Sequence, residues 1–181
     1  AEINPKAVQT RHSQKWVDEV YTDLDKLLAR TKQAITTLEG VSLAYQGNVV
    51  DLWEQLVKDG VMVDIGSDQS SLHNPWAGGY YPVGFTLEES NRMMAEEPEQ
   101  FKKEVQKTLV RHINAVNALH SKGMYFFDYG NAFLLEVSRA GGDVFKDKAK
   151  SEFKYNSYVQ DILGPMCFDF GFGPFRWVCT S

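Results

Sequence analysis

Apolar side chains recur at steps of three and four residues along much of the chain, the spacing that places them on one face of an α-helix. The longest stripe consists of Phe101, Val105, Leu109, Ile113, Val116 and Leu119. Start and stop signals flank this stripe and several shorter ones. The predicted helices run from Pro5 to about His12, Asp23 to Gly40, Asn48 to Gly60, Thr86 to about Glu96, Pro98 to Gly123 and Ala132 to Arg139.

Short apolar runs between these helices predict the strands. They cover Val41–Tyr45, Val61–Gly66 and Met124–Phe127, with a weaker candidate at Trp16–Val20 and the end of a further strand at Ala1-Glu2. Strands that alternate with helices indicate the α/β class, a mostly parallel sheet with helices on both faces. We expect residues 1–181 to form a single domain.

Polar residues follow the predicted strands at their carboxyl ends. They are Glu2, Gly47-Asn48, the long aperiodic loop Asp68–Pro82 and the turn Asp128–Asn131. In open parallel sheets, ligands bind just beyond the carboxyl ends of the strands. The sequence therefore predicts a binding site along one edge of the sheet, with the Asp68–Pro82 loop as its main component.

Composition narrows the possible partners. The chain is 43% hydrophobic, 24% charged and carries a formal net charge of −5, with no cluster of lysine and arginine. These values disfavour nucleic-acid binding through a basic surface. No apolar run approaches the roughly 20 residues of a membrane span, so we expect no membrane partner. Cys167 and Cys179 are the only cysteines, which suggests a reducing, cytoplasmic compartment.

Taken one at a time, the candidate site residues allow both a functional and an ordinary structural interpretation. An acid such as Glu2 at a strand end binds a ribose in dinucleotide-binding folds, but an ordinary exposed acid near a terminus is the better interpretation of this residue alone. Tyr129 is either a site residue or a tyrosine at the edge of the core, and a lone Cys167 is more often an inert buried thiol. Asp68 and His73, with Asp128, are too scattered to indicate a metal site.

Four strings together are more specific. They are Ser67-Asp68-Gln69-Ser70-Ser71-Leu72-His73-Asn74-Pro75, Gly79-Tyr80-Tyr81-Pro82, Phe127-Asp128-Tyr129-Gly130-Asn131 and Gly173-Pro174-Phe175-Arg176-Trp177. In order and approximate spacing they resemble the urocanase family, over nearly the whole chain. The resemblance implies a Rossmann-like domain and a hydro-lyase that adds water to urocanate, giving 4-imidazolone-5-propionate in histidine degradation. It also implies a cytoplasmic homodimer that uses tightly held NAD+ as an electrophile.

The resemblance assigns roles to particular residues. Glu2 matches the acid that binds the adenosine ribose, and Cys167 resembles the active-site cysteine. The other residues that match cofactor contacts are Asn48, Val49, Gln69, Ser70, Ser71, Leu72, His73, Tyr80, Tyr81 and Tyr129. The spacing from Cys167 to Gly173 is about two residues longer than in bacterial members.

No glycine-rich phosphate turn follows a strand within the chain, which favours a position upstream of Ala1. We therefore expect these residues to be most of the central NAD+-binding domain, with a further segment downstream, and to be inactive alone. Two other classes stay open. One is a non-catalytic α/β binding module derived from the same fold, and the other, which is weaker, is a conventional dehydrogenase.

Overall fold

A computed structural model describes residues 1–130 and 132–172 of the chain. Its helices are α1 (Pro5–Ser13), α2 (Leu24–Thr37), α3 (Val49–Asp59), α4 (Leu87–Glu96), α5 (Pro98–His120), α6 (Ala132–Arg139) and α7 (Gly164–Phe168). Its strands are β1 (Glu19–Tyr21), β2 (Leu43–Tyr45), β3 (Ile65–Asp68), β4 (Tyr125–Asp128) and β5 (Asn156–Ser157). A 3₁₀ turn at Pro75–Ala77 and a π-helical segment at Tyr158–Leu163 complete the list.

All the strand pairs are parallel, which confirms the α/β class. β1 pairs with β2, and β4 lies between β3 and β5 in a second sheet. Glu2 forms a parallel bridge with Gln46 just beyond β2, so the first residues of the chain lie beside the end of that strand. The carboxyl ends of β2, β3 and β4 all precede segments that the sequence marks as polar.

The core lies between the β3–β4–β5 sheet and helices α3, α5 and α6. The apolar stripe of α5 is buried along its whole length, and Phe126 of β4 and Phe133 of α6 pack into the same cluster. Burying a side chain of this size contributes roughly 1.5–3 kcal/mol. On the opposite face of the sheet, Ile65 and Tyr125 are 67% and 45% exposed.

Gly66 allows α3 to approach the sheet. A Cβ atom at this position would lie 2.8 Å from the ring of Trp53 and 2.9 Å from the sulfur of Met124. Both distances are shorter than van der Waals contact, so a larger residue would displace the helix or the strand. This glycine in the interior of β3 marks a close approach of neighbouring groups.

Most of the predicted helix signals are confirmed. Asn4, Asp23 and Asn48 cap α1, α2 and α3, Thr86 and Glu89 form the reciprocal capping box of α4, and Gly60 ends α3 with φ = 63°. The predicted end of α2 at Gly40 is wrong. Leu38 takes the left-handed conformation (φ = 54°) instead, because the Glu39 N–H already closes the helix on the Ala34 carbonyl.

The predictions for β1 and β3 begin three or four residues too early, and those for β2 and β4 differ from the structure by at most two residues at either end. The Val61 N–H bonds to the Leu56 carbonyl, so the start of the apolar run completes the end of α3. β3 consequently begins at Ile65 and includes Asp68, which the sequence assigned to the following loop. Near α1, the Trp16 N–H bonds to the Arg11 carbonyl, which leaves only Glu19–Tyr21 for β1.

The region after α6 was poorly predicted. The two residues of β5, the π-helical segment and the short α7 have no periodic pattern in the sequence. The predicted residues Asn131, Cys179 and Gly173–Trp177 lie outside the described part of the chain. Among the helices of residues 1–130 and 132–172, none combines the length and apolar character that crossing a bilayer requires.

Candidate functional site

A cavity of about 610 Å³ lies where the chain leaves β2 and β3. Its volume falls within the range of small-molecule sites. Four segments and one side chain line it: Ala1–Asn4, Gly47–Val49, Ser67–Ser71, Gly78–Tyr81 and Leu87. Three of the four polar strand ends that the sequence predicted to converge therefore share one cavity.

Asn48 joins two walls of the cavity. Its Oδ1 accepts a hydrogen bond of 3.0 Å from the Val50 N–H, which caps α3, and its Nδ2 donates one of 3.0 Å to the Tyr81 carbonyl. One side chain thereby sets the start of α3 and holds the far end of the long loop. The N-terminus of α3 carries a partial positive charge that suits an anionic or electron-rich group.

Asp68 is the last residue of β3 and forms part of the cavity lining. Its side chain is buried, and its two carboxylate oxygens accept hydrogen bonds of 2.9 Å from the Ser70 N–H and the Ser70 hydroxyl. Burial raises the pKa of Asp68 to about 6, against the opposing effect of these bonds. Asp128 is its register partner in β4, and burial raises the pKa of that carboxyl too.

The far part of the loop folds back on its start at Gly79. A Cβ atom at this position would lie 2.1 Å from the Ser71 carbonyl oxygen and 2.5 Å from that of Asn74. No side chain fits in this space, so the glycine is required for Gly78–Tyr81 to reach the cavity beside Ser67–Ser71.

Tyr80 is the buried residue of the lining segment Gly78–Tyr81. Its hydroxyl lies 2.9 Å from Nδ1 of His112 on α5, and the two rings are nearly parallel. Burial raises the pKa of Tyr80 and lowers the pKa of His112 to about 3, so both side chains are neutral near pH 7. Neutral partners of this kind fix the tyrosine without placing a charge in the core.

Glu2 lines the cavity from the other side. Its N–H donates to the Tyr45 carbonyl and its carbonyl accepts from the Gly47 N–H, which fixes it beside β2. The carboxylate accepts a 2.8 Å hydrogen bond from the Asn4 N–H at the start of α1. The side chain is exposed, so its remaining lone pairs are free to accept hydrogen bonds from hydroxyl groups.

The lining of this cavity is polar but not basic. Among the described residues that line it there is no lysine, arginine or histidine. Amides and hydroxyls dominate, from Asn4, Asn48, Gln69, Ser70 and Ser71. Such a set suits hydrogen bonds to sugar hydroxyls and carboxamides, and any phosphate contacts here would rely on backbone N–H groups.

Four of the predicted site residues do not line this cavity. Leu72 is buried in the core, and His73 is exposed outside the lining. Tyr129 follows β4 and stacks on Tyr158, with ring centroids 5.5 Å apart. Cys167 is a free, half-buried thiol on α7. Within the described ranges, no group of three or more histidine, cysteine or acidic side chains could hold a metal ion.

Sequence reasoning missed two residues that shape the site. Asp68 was considered only as a possible metal ligand, although an acid at a strand end two residues before a serine is a recognisable turn former. His112 was assigned to the surface or the core without a role. Its partner Tyr80 is 32 residues away, and no local pattern in the sequence connects the two.

Comparisons with known proteins agree with this architecture. Residues 1–162 match the family described as "Urocanase Rossmann-like domain". A probable urocanate hydratase of Dictyostelium discoideum is 58% identical over 183 residues, and urocanate hydratases of Mus musculus and Homo sapiens are 51% and 50% identical over 187 residues. All of this chain is covered in each case, but only 27–28% of the relatives' length. The chain belongs to the urocanase family and contains its Rossmann-like domain.

Proposed function

We propose that this chain is the NAD+-binding domain of a urocanate hydratase, a lyase that adds water to urocanate in histidine degradation. The observation that carries the proposal is the cavity at the carboxyl ends of β2 and β3, which is lined in part by two of the four strings that resemble the urocanase family, Ser67–Pro75 and Gly79–Pro82. Relatives that carry the name urocanate hydratase cover the whole chain at 50–58% identity.

The lining residues fit a dinucleotide. The exposed Glu2 carboxylate would accept hydrogen bonds from a ribose, as an acid at a strand end does in Rossmann-like folds. Asn48 and Val49 would present the N-terminus of α3, and Gln69, Ser70 and Ser71 would supply amide and hydroxyl contacts. Tyr80 and Tyr81 close the opposite wall. When bound, NAD+ supplies an electrophilic nicotinamide ring and is not consumed as a hydride carrier.

The other assigned residues act from outside this cavity. Leu72 anchors the loop in the core, which leaves the exposed His73 free to contact the cofactor or another part of the protein. Tyr129 follows β4, and we assign it to a position near the cofactor, as the family resemblance implies. Cys167 of α7 would be the catalytic thiol at the urocanate site. The complete protein is then a cytoplasmic homodimer.

The 181 residues alone should lack turnover. Tyr129 and Cys167 do not line the cavity that Glu2, Asn48 and Gln69 share, so the described structure does not bring the substrate and cofactor residues together. Urocanate absorbs in the ultraviolet, so its disappearance measures the reaction directly. Loss of this absorbance with the 181-residue chain alone would contradict this part of the proposal.

The main test uses the complete protein and two variants. Tyr129→Phe and Cys167→Ala should each lower turnover of urocanate at least tenfold while NAD+ binding, measured by calorimetry, persists. Tyr125→Phe is the matched control, because Tyr125 is a half-exposed tyrosine on the open face of the sheet. Full turnover in both site variants would show that Tyr129 and Cys167 are not needed for the reaction, whereas a complete wild-type protein without turnover would favour the non-catalytic binding module.

A further inference from the structure

Asp68 connects three parts of the site through one residue. Its main-chain carbonyl accepts a hydrogen bond of 3.1 Å from the Tyr129 N–H, which ties the end of β3 to the turn after β4. Its carboxylate receives both the N–H and the hydroxyl of Ser70. The side chain is 4% exposed, so these bonds are shielded from competition by water.

The segment that Asp68 fixes is a wall of the cavity. Gln69, Ser70 and Ser71 line it beside Asp68, and the buried Asp68 carboxylate accepts its hydrogen bonds from Ser70. Gln69 and Ser71 are exposed, so packing contributes little to their position. Backbone hydrogen bonds from Leu72 and Asn74 to the carbonyls of Ser70 and Ser71 fix the end of this stretch. The two bonds from Ser70 to Asp68 connect its start to the end of β3.

We propose that Asp68 is a positioning residue whose ionised carboxylate holds Gln69–Ser71 in the shape that receives the cofactor. This inference rests on the proposed NAD+ site. Asp68 acts only through Ser70, and the residues that touch the ligand are those of the wall.

The state of this carboxyl should depend on pH. Burial is the main cause that raises the pKa of Asp68 to about 6, and the negative charge of Asp128 of β4 adds to it. Tyr80 of the loop stays neutral in this range, because burial and the charge of Asp68 raise its own pKa. Protonation removes the charge that strengthens both bonds to Ser70, because hydrogen bonds to ionised groups are roughly twice as strong as neutral ones. The loosened wall is one in which Asp68 stays buried but has lost the two bonds that lower its pKa. Its carboxyl binds a proton more tightly in that state, so the wall should loosen as the pH falls from 7 to 5, although protonation of Asp68 stabilises the fold as a whole against unfolding.

Two measurements on the complete protein test this inference. The first is hydrogen exchange of residues 67–76 without cofactor, between pH 5 and 8, corrected by the exchange of the unfolded peptide at each pH. The second is the Kd of NAD+ by calorimetry over the same range. The variants are Asp68→Asn, which mimics the neutral acid, and Ser70→Ala, which removes only the hydroxyl bond.

Asp147→Asn is the matched control. The Asp147 carboxylate also accepts the N–H and the hydroxyl of a serine, Ser151, at 3.1 and 2.5 Å. It is exposed and distant from the cavity lining, and its bonds to Ser151 hold its pKa below the usual value. This substitution repeats the chemistry of Asp68→Asn without touching the proposed wall.

In the wild type, we expect the protection of residues 67–76 from hydrogen exchange to fall as the pH is lowered, with a midpoint near pH 6. NAD+ should bind about fivefold more weakly at pH 5 than at pH 7.5. Asp68→Asn should bind NAD+ weakly and show low protection from hydrogen exchange at every pH. Ser70→Ala should give intermediate values of both quantities, and Asp147→Asn should behave like the wild type. If Asp68→Asn fails to fold, the wild-type profile and Ser70→Ala give the same test.

Three results would overturn the inference. Protection of the wall that is independent of pH and unchanged in the variants would show that Asp68 does not hold it. Protection that follows the prediction while NAD+ affinity stays constant would show that the wall does not position the cofactor. A wild type that binds no NAD+ at any pH would remove the proposed function itself, whatever the exchange data show.

Discussion

The hydroxyl of Tyr80 and Nδ1 of His112 lie 2.9 Å apart in the core, where neither side chain is more than 4% exposed. Within the described residues, the second ring nitrogen of His112, Nε2, has no hydrogen-bond partner. The histidine therefore depends on Tyr80 for its hydrogen bond. Since Tyr80 lines the cavity, this buried pair connects α5 to the site.

Removing one partner of the Tyr80–His112 pair should lower the free energy of unfolding more than removing both partners does. Tyr80→Phe leaves Nδ1 of His112 buried and unpaired, which costs about 1–3 kcal/mol in free energy of unfolding. His112→Phe strands the Tyr80 hydroxyl at a similar cost, whereas the double variant should be more stable than the sum of the two losses implies. Urea unfolding measures the free energy of unfolding of the two single variants and the double variant.

Tyr81→Phe is the control, because the Tyr81 hydroxyl bonds to Asn91 near the surface. Additive losses would show that the pair is not coupled.

His112 should also make the protein sensitive to acid. Its pKa in the folded state is about 3, while the unfolded chain binds a proton near pH 6.5. Below pH 6.5 the unfolded state therefore binds more protons, and the contribution of His112 to stability falls roughly tenfold in the folding equilibrium for each pH unit down to about 3. The difference in unfolding free energy between His112→Phe and the wild type should shrink or reverse over this range. Substitution of the exposed His73 should leave the wild-type slope in place.

The ionisation of Asp68 should change the stability with pH in the opposite direction to that of His112. Its folded-state pKa of about 6 lies above the unfolded value of about 4, so the folded state binds the extra proton between these two values. The wild type therefore loses up to about 3 kcal/mol from this group as the pH rises from 4 to 6. Asp68→Asn should gain stability relative to the wild type over the same interval, as urea unfolding at each pH would measure. A difference that does not vary with pH would mean that Asp68 ionises normally.

The elements that could be predicted from the sequence are those with local causes. The capping box of Thr86 and Glu89 and the glycine at the end of α3 depend on residues within one turn, and both are confirmed. Parallel topology predicted four polar strand ends at one site, and three of them share the cavity, whereas no described residue of the turn after β4 lines it. Leu38 was not predicted in a left-handed conformation, because leucine rarely adopts it. The pairing of Tyr80 with His112 depends on how α5 packs against the loop, which no local pattern encodes.

Gly79 should be intolerant of substitution. In Gly79→Ala the new methyl group would meet two backbone carbonyl oxygens within 2.5 Å, and backbone atoms cannot move aside without opening the turn. We expect a loss of about 2 kcal/mol or more in unfolding free energy, together with at least tenfold weaker NAD+ binding. Gly40→Ala is the control, because a methyl group there meets nothing within 4 Å. Equal behaviour of the two variants would show that the loop closes differently.

Asn48 performs two tasks that different substitutions should separate. Asn48→Ser keeps an oxygen that can cap α3 but loses the donor to the Tyr81 carbonyl, whereas Asn48→Ala loses both interactions. We expect Asn48→Ser to lower the free energy of unfolding by about 1 kcal/mol and Asn48→Ala by about 2 kcal/mol. Both should weaken NAD+ binding to a similar extent, because both release the loop from α3.

The control for the second substitution is Asp23→Ala. Asp23 caps α2 through the Lys26 N–H, and it does not line the cavity. This variant should lose about 1 kcal/mol of stability and keep its affinity for NAD+, as urea unfolding and calorimetry would measure. If Asn48→Ser binds NAD+ like the wild type while Asn48→Ala does not, the cap of α3 orders the cavity and the bond to Tyr81 does not.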